Sequence, residues 1–189
     1  NTIILFSSDN GPTFAGGVDA SYFNSTAGLR GLKMDVYEGG IRIPFIAYWK
    51  GKIAPGSTSS LVSGQWDMFN TMAQLAGSNA TSPDGVSLVP ELLGVGKQQQ
   101  HDYIYFEYPE KRGQLALRKG DWKAVKVNMK TNPNATWELY NLKSDPYEEQ
   151  DVAAAHPKII RQMDSLQQLA HRHPHIRDWE FIDPKFKKR

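Results

Sequence analysis

The sequence predicts an α/β protein in two parts. Residues 1–96 read as the remainder of a mixed sheet with a flanking helix. Residues 97–189 read as a small α+β subdomain, a four-stranded antiparallel sheet packed by one helix. Three observations predict this. Two apolar runs, Thr2–Phe6 and Ile43–Trp49, bracket a glycine-rich polar stretch. After residue 97, four short aromatic and β-branched runs alternate with turn signals. From Pro157 onward, apolar residues recur at helical spacing.

Taken in order, Thr2–Phe6 is a continuous apolar run suited to a strand buried on both faces. Ser7-Ser-Asp-Asn-Gly-Pro12 then breaks it. Thr13–Arg30, with Gly16-Gly17 and mixed polarity, reads as a long loop, and long loops inside compact domains are often functional. Glu38-Gly39-Gly40 reads as a sharp backbone turn before the strand Ile43–Trp49, which is entered through Pro44. Gly51–Ser60 is a turn-rich connection around Pro55-Gly56. Asp67–Ala76 reads as a helix with Met68, Phe69, Met72, Ala73, Leu75 and Ala76 on its apolar face and Gly77 as its stop. Ser82–Gly85 is a turn, and Leu88–Leu93 a short helical turn.

Lys97-Gln-Gln-Gln100 is a polar linker. Tyr103–Tyr108, Gln114–Arg118, Trp122–Val127 and Trp137–Leu142 are the four strands, with Lys119-Gly120-Asp121 as a hairpin turn and Asn132-Pro-Asn134 as another. Pro157 opens a helix in which Ile159, Ile160, Met163, Leu166, Leu169 and Ala170 share a face, and Pro174 ends it. Tyr103, Tyr105, Phe106, Tyr108, Trp122, Trp137 and Tyr140 alternate along strands and belong to the core between sheet and helix rather than to a stacking surface.

The bulk numbers narrow the function. With 189 residues and a 40% hydrophobic fraction, the chain supports a sizeable core. A net charge of +2 gives no argument for nucleic acid or a membrane surface. The one dense basic cluster, Lys185–Arg189, reads as a solvated terminus. Without cysteine there is neither a disulfide nor a thiolate metal site. No apolar run reaches the ~20 residues of a membrane span, so no membrane span is expected. Asn24, Asn79 and Asn134 begin Asn-x-Ser/Thr triplets, which matter only in a eukaryotic secretory chain.

Two short motifs carry chemistry. Asp9 and Asn10 follow an apolar strand, where open α/β sheets gather ligands, and they offer the oxygen donors that Ca²⁺ or Mg²⁺ requires. Asn-Gly is also a common turn dipeptide. Lys33 is a compact point charge suited to a tetrahedral oxyanion, and it is equally readable as a surface lysine. Arg42 reads as a structural partner of Glu38 or Asp35. His171, His173 and His175 sit at a helix end with i, i+2 spacing, which does not put two rings on one helix face.

Ser8-Asp-Asn-Gly11, Gly31-Leu-Lys33 and Tyr37-Glu-Gly-Gly-Ile-Arg-Ile-Pro44 together resemble the C-terminal portion of type I sulfatases, the arylsulfatase-like members of the alkaline phosphatase superfamily. Asp67, Asp84-Gly85, His101-Asp-Tyr-Ile-Tyr105, Arg118-Lys-Gly-Asp-Trp-Lys123, Leu139-Tyr-Asn-Leu142, Asp145-Pro146 and Glu149 extend the resemblance. It covers residues 1 to about 170. Each motif alone is weak, and their order is the specific signal.

The resemblance implies a sulfatase-type sheet and a parent that is a sulfuric ester hydrolase acting on a sulfated sugar or an aryl sulfate. It implies that Asp9 and Asn10 are Ca²⁺ ligands and that Lys33 contacts the sulfate. The Thr13–Arg30 loop and the surroundings of His101 and Glu107 would border the pocket. It also implies an exported parent, whether periplasmic, secreted or lysosomal. One departure is large: the family's nucleophile is a formylglycine made within Cys/Ser-x-Pro-x-Arg, and the chain has no such motif. The first pair of metal aspartates has no counterpart either. The expectation is therefore a C-terminal fragment that is inactive alone and self-associates through an exposed, truncated core. The rival readings are a phosphodiesterase or phosphonate hydrolase of the same superfamily, and a non-catalytic glycan-binding module.

Overall fold

The computed structural model describes residues 1–132 and 134–187. Pro133 of the expected Asn132–Asn134 turn, and Lys188 and Arg189 of the basic tail, lie outside the described residues. The chain forms two compact units: Asn1–Ser7 with Pro44–Asp102, and Ser8–Ile43 with Tyr103–Arg189. Compactness thus divides the chain otherwise than at residue 96, because the segment carrying Asp9, Asn10 and Lys33 packs with the C-terminal sheet. Among the described residues, no helix is long and apolar enough to cross a membrane.

In the first unit, β1 (Ile4–Ser7) pairs antiparallel with β2 (Phe45–Tyr48), Ile4 opposite Tyr48 and Ser7 opposite Phe45. The apolar run predicts burial on both faces, yet Phe6 is 61% exposed and Ile46 60%. A two-stranded ribbon leaves both of its faces uncovered, whatever the hydropathy of its residues. A helix, Asp67–Leu75, stands where the periodicity puts it, and a shorter one, Val89–Leu93, has Pro90 in its first turn and ends at left-handed Gly94. The buried residues of the longer helix are not the apolar set: Asp67 and Thr71 are fully buried, and Phe69 is 55% exposed. The reason is backbone satisfaction. Asp67 accepts hydrogen bonds from the amides of Gly64 and Val86, each at 2.8 Å. The Thr71 hydroxyl donates to Asp67 O and accepts from Leu88 N at 2.9 Å.

The second unit is built on an antiparallel meander of β3 (Ile104–Tyr108), β4 (Gln114–Lys119), β5 (Trp122–Lys126) and β6 (Glu138–Asn141), in that order. All four strands match the expected runs within two residues. A helix, Pro157–Ala170, covers one face as predicted: Met163, Ile159, Ile160 and Leu166 pack with Leu115, Leu117, Ala124 and Leu139. The opposite face is also buried, under Val36 and Tyr37, which pack against Ala116, Val125, Tyr140 and Leu142. The strand aromatics divide accordingly: Tyr103, Tyr105, Trp122 and Trp137 face the helix, whereas Phe106, Tyr108 and Tyr140 face the 36–37 segment. Period-two alternation distributes them so.

One local expectation is corrected. Glu38-Gly39-Gly40 is not a sharp turn but the start of a single helical turn, Glu38–Ile41. Neither glycine adopts a positive φ. They are small because carbonyls wrap closely around them: a Cβ on Gly40 would lie 2.0 Å from Asp35 O and 2.6 Å from Leu32 O. Gly40→Ala is expected to destabilise the second unit by about 3 kcal/mol, the upper end of overpacking costs. Thermal unfolding of the variant checks this, and an unchanged Tm would mean that the 32–35 loop yields freely.

Candidate functional site

The site residues expected from the sequence sit on two loops braced against the Glu38–Ile41 turn. Ser8–Pro12 forms the first. Its Ser8 hydroxyl donates to Asn10 O at 2.8 Å, and Gly11 N donates to Gly40 O at 2.8 Å. Gly11 can make this approach because it lacks a side chain: a Cβ there would lie 2.0 Å from Gly39 O. The second loop is bound to the first by the Lys33 amide, which donates to Pro12 O at 2.8 Å. The fold therefore brings Asp9, Asn10 and Lys33 into adjacent loops of one compact unit. Asp9 and Lys33 are exposed, and Asn10 is half-buried.

Asp9 and Asn10 are joined by a short hydrogen bond in which Asn10 Nδ2 donates to Asp9 Oδ1. Asn10 spends an N–H on that bond, so its amide oxygen and the carboxylate retain acceptor capacity for a cation. This donor chemistry suits a hard divalent ion, and the residues fit part of a Ca²⁺ site. Two side chains cannot supply the roughly six to eight oxygens such an ion takes. An open cavity of about 440 Å³ is lined by Phe14, Gly17, Val18, Asp19, Ala20, Ser21 and Leu32. This is the loop expected to border a pocket, and Phe14, Tyr22 and Phe23 stand exposed on it.

What fixes the two loops is a buried ionic network. Lys123 Nζ lies 2.9 Å from Glu38 Oε1 and 2.8 Å from Glu148 Oε1, and Glu148 Oε2 accepts from the Glu38 amide at 2.7 Å. All three side chains are almost fully buried. Burial pushes the Glu148 carboxyl above its ordinary range, against the downward pull of Lys123. Arg30, at the end of the long loop, donates to the Tyr140 hydroxyl at 2.8 Å and to Glu148 O at 3.0 Å, and stacks on Tyr37. The glycine-turn motif is thereby anchored to β5, β6 and the segment after β6.

Sequence reading assigned Lys123 only to a motif and Glu148 no role. A signal was present: Lys123 occupies the same strand face as Val125, which is fully buried. Arg42 pairs with Glu38 at 3.8 Å, one of its two expected partners, while Asp35 takes Lys111 instead. His101 and Glu107 are engaged structurally. His101 Nε2 lies 2.9 Å from buried Asp67, and Glu107 bonds Tyr105 and His171.

The family described as N-sulphoglucosamine sulphohydrolase, C-terminal, matches residues 32–173. The chain belongs to this sulfatase family and represents a C-terminal portion of it. It is 32% identical over 188 residues to an N-acetylgalactosamine-6-O-sulfatase of Bacteroides thetaiotaomicron, covering 88% of this chain and 35% of that protein. It is 35% identical over 198 residues to human arylsulfatase A, covering 89% of this chain and 37% of that protein. Among solved structures it resembles a protein in complex with its substrate, D-glucosamine-2-N,6-O-disulfate, with a TM-score of 0.67 and 27% identity. That alignment covers 88% of this chain and 34% of the other. The chain thus spans about a third of the length of these three proteins.

Proposed function

We propose that this chain supplies one wall of a sulfuric ester hydrolase site, with Asp9 and Asn10 as Ca²⁺ ligands and Lys33 as the sulfate contact. The observation that carries this reading is the pair of 2.8 Å backbone bonds, Gly11 N to Gly40 O and Lys33 N to Pro12 O. They keep an oxygen-donor pair and an ammonium on adjoining loops. Family membership supports the reaction class, and the sulfated amino sugar bound by the similar structure supports a sulfated glycan as substrate.

When bound, Ca²⁺ would supply positive charge to the sulfate oxygens. Asp9 and Asn10 would hold it. The Lys33 ammonium would hold a sulfate oxygen and offset negative charge on the leaving oxygen. The exposed loop Phe14–Phe23 would border the sugar. The chain carries no formylglycine motif, so in this reading the nucleophile comes from outside it. The 189-residue chain by itself is expected to show no turnover of an aryl sulfate or a sulfated glucosamine. Turnover well above the uncatalysed rate by the pure chain would overturn the proposal. A loss of turnover on replacing Lys33 in the full-length gene product tests its positive half.

A further inference from the structure

A second cluster of ligating side chains lies at the far end of the Pro157–Ala170 helix. The helix stops at Ala170, and His171 leaves it with ψ 135°. Residues two apart face opposite directions on a helix but share a face in extended chain. The His171 and His173 rings accordingly meet, with centroids 5.3 Å apart and planes at 87°. The sequence argument against two rings on one face assumed that the helix continued. A 3₁₀ turn, Arg177–Trp179, then brings Glu180 back to both rings. Glu180 Oε2 lies 3.2 Å from His171 Nε2 and 3.0 Å from His173 Nδ1. The ligating atoms of the three residues all lie within 4.8 Å of one another.

The surroundings orient each donor. Glu180 is fully buried, and its Oε1 accepts from the amides of Ile182 and Asp183 at 2.7 and 2.8 Å, which turns Oε2 toward the histidines. His171 Nδ1 lies 2.8 Å from Glu107 Oε1 on β3, and the Tyr105 hydroxyl donates to the same carboxylate. The His173 ring stacks on Phe186 at 4.1 Å. If His171 donates from Nδ1 to Glu107, its Nε2 presents a lone pair to the Glu180 carboxylate. Among the described residues, that buried nitrogen has no hydrogen-bond partner, although Glu180 Oε2 lies 3.2 Å away. Lone pair faces lone pair unless positive charge lies between them.

We propose that His171 Nε2, His173 Nδ1 and Glu180 Oε2 form a Zn²⁺-type divalent metal site, with Glu107 orienting His171 from behind. Two imidazoles and one carboxylate suit Zn²⁺, and bonds of about 2.0–2.2 Å in a tetrahedron put the donors about 3.3 Å apart. The present 3.0 and 3.2 Å separations are within a few tenths of that. A carboxylate bonded to the second nitrogen of a metal-binding histidine is the usual supporting arrangement. The His173 side chain is 45% exposed, which leaves an open side for entry and for a water in the fourth position. The metal would clip the C-terminal segment to the helix end and to β3. This site is separate from Asp9 and Asn10 and does not depend on the sulfatase mechanism.

The test is a titration of the metal-stripped 189-residue chain with CoCl₂, followed by competition with ZnCl₂. One equivalent of Co²⁺ is expected to develop the visible absorption of a low-coordinate centre, bleached by Zn²⁺. Zn²⁺ is also expected to raise the Tm. His173→Ala, at a half-exposed position, and His171→Ala should each abolish the band or weaken binding at least tenfold. Glu107→Gln should weaken binding about tenfold, while His175→Ala should leave it unchanged. Absence of the band in the wild-type chain would overturn the proposal. Binding untouched by His173→Ala would overturn it equally.

Discussion

Replacing Lys123 by Met is expected to destabilise the second unit by about 3–5 kcal/mol, because it leaves two buried carboxylates facing each other without the buried cation that bridges them. Lys123 bridges Glu38 and Glu148 at 2.9 and 2.8 Å, and the three side chains are almost fully buried, whereas Arg42 reaches only Glu38, at 3.8 Å and from a largely exposed position. A loss of that size is a large share of a domain's stability and corresponds to a Tm lower by about 10 °C or more. The sign of the pH dependence follows from Glu148. Burial already raises its pKa in the folded chain, opposed by Lys123. Without Lys123 the folded pKa rises further above the unfolded value. Such a group favours folding at pH below the ordinary glutamate range and withdraws that contribution as pH rises through the folded pKa. The deficit of the variant should therefore shrink on acidification. Adding Glu38→Gln and Glu148→Gln to Lys123→Met should recover much of the loss, since uncharged partners need no cation. Denaturant unfolding at two pH values checks all three statements. A single variant within about 1 kcal/mol of wild type at neutral pH would show the network to be dispensable.

Replacing Lys33 by Ala in the full-length gene product is expected to lower kcat on a sulfate ester by about 10² to 10³-fold, the usual cost of losing one preorganised charge at the reacting group. The fold should not suffer. Lys33 is exposed, and its tie to Pro12 O uses the backbone amide, which alanine retains. Stability should change by no more than about 0.5 kcal/mol. Lys33→Arg keeps the charge but exchanges a compact ammonium for a planar fork, so partial activity is expected. Equal turnover in wild type and Lys33→Ala would remove Lys33 from the chemistry and leave it a surface lysine.

Much of the secondary structure was legible in the chain. The four strands and the long helix follow from alternation, turn residues and helical period, because those signals are local. The family was legible because motif order survives where single motifs are weak. Other features were not local. The glycines at 39 and 40 read as a turn, but they serve close packing, Gly39 against the carbonyls of Leu29, Arg30 and Gly31 and Gly40 against those of Leu32 and Asp35. Asp67 read as the start of a helix and part of the family resemblance, but its burial as the acceptor for two loop amides and the partner of His101 is set by contacts distant in sequence. The two-sided hydrophobicity of β1 suggested complete burial, while its antiparallel pairing with β2 leaves it largely exposed.

By itself the sequence determined the α/β class, the order of elements, and the residue types able to bind a cation and an oxyanion. It did so because periodicity and side-chain chemistry are properties of neighbours along the chain. Only the tertiary structure decided which charges are buried together and which histidines converge. Lys123 reaches Glu38 across 85 positions, and Glu180 reaches His171 only because the helix ends at Ala170 and the chain turns back. Contacts of that kind depend on where the backbone folds over itself, and no local pattern encodes them.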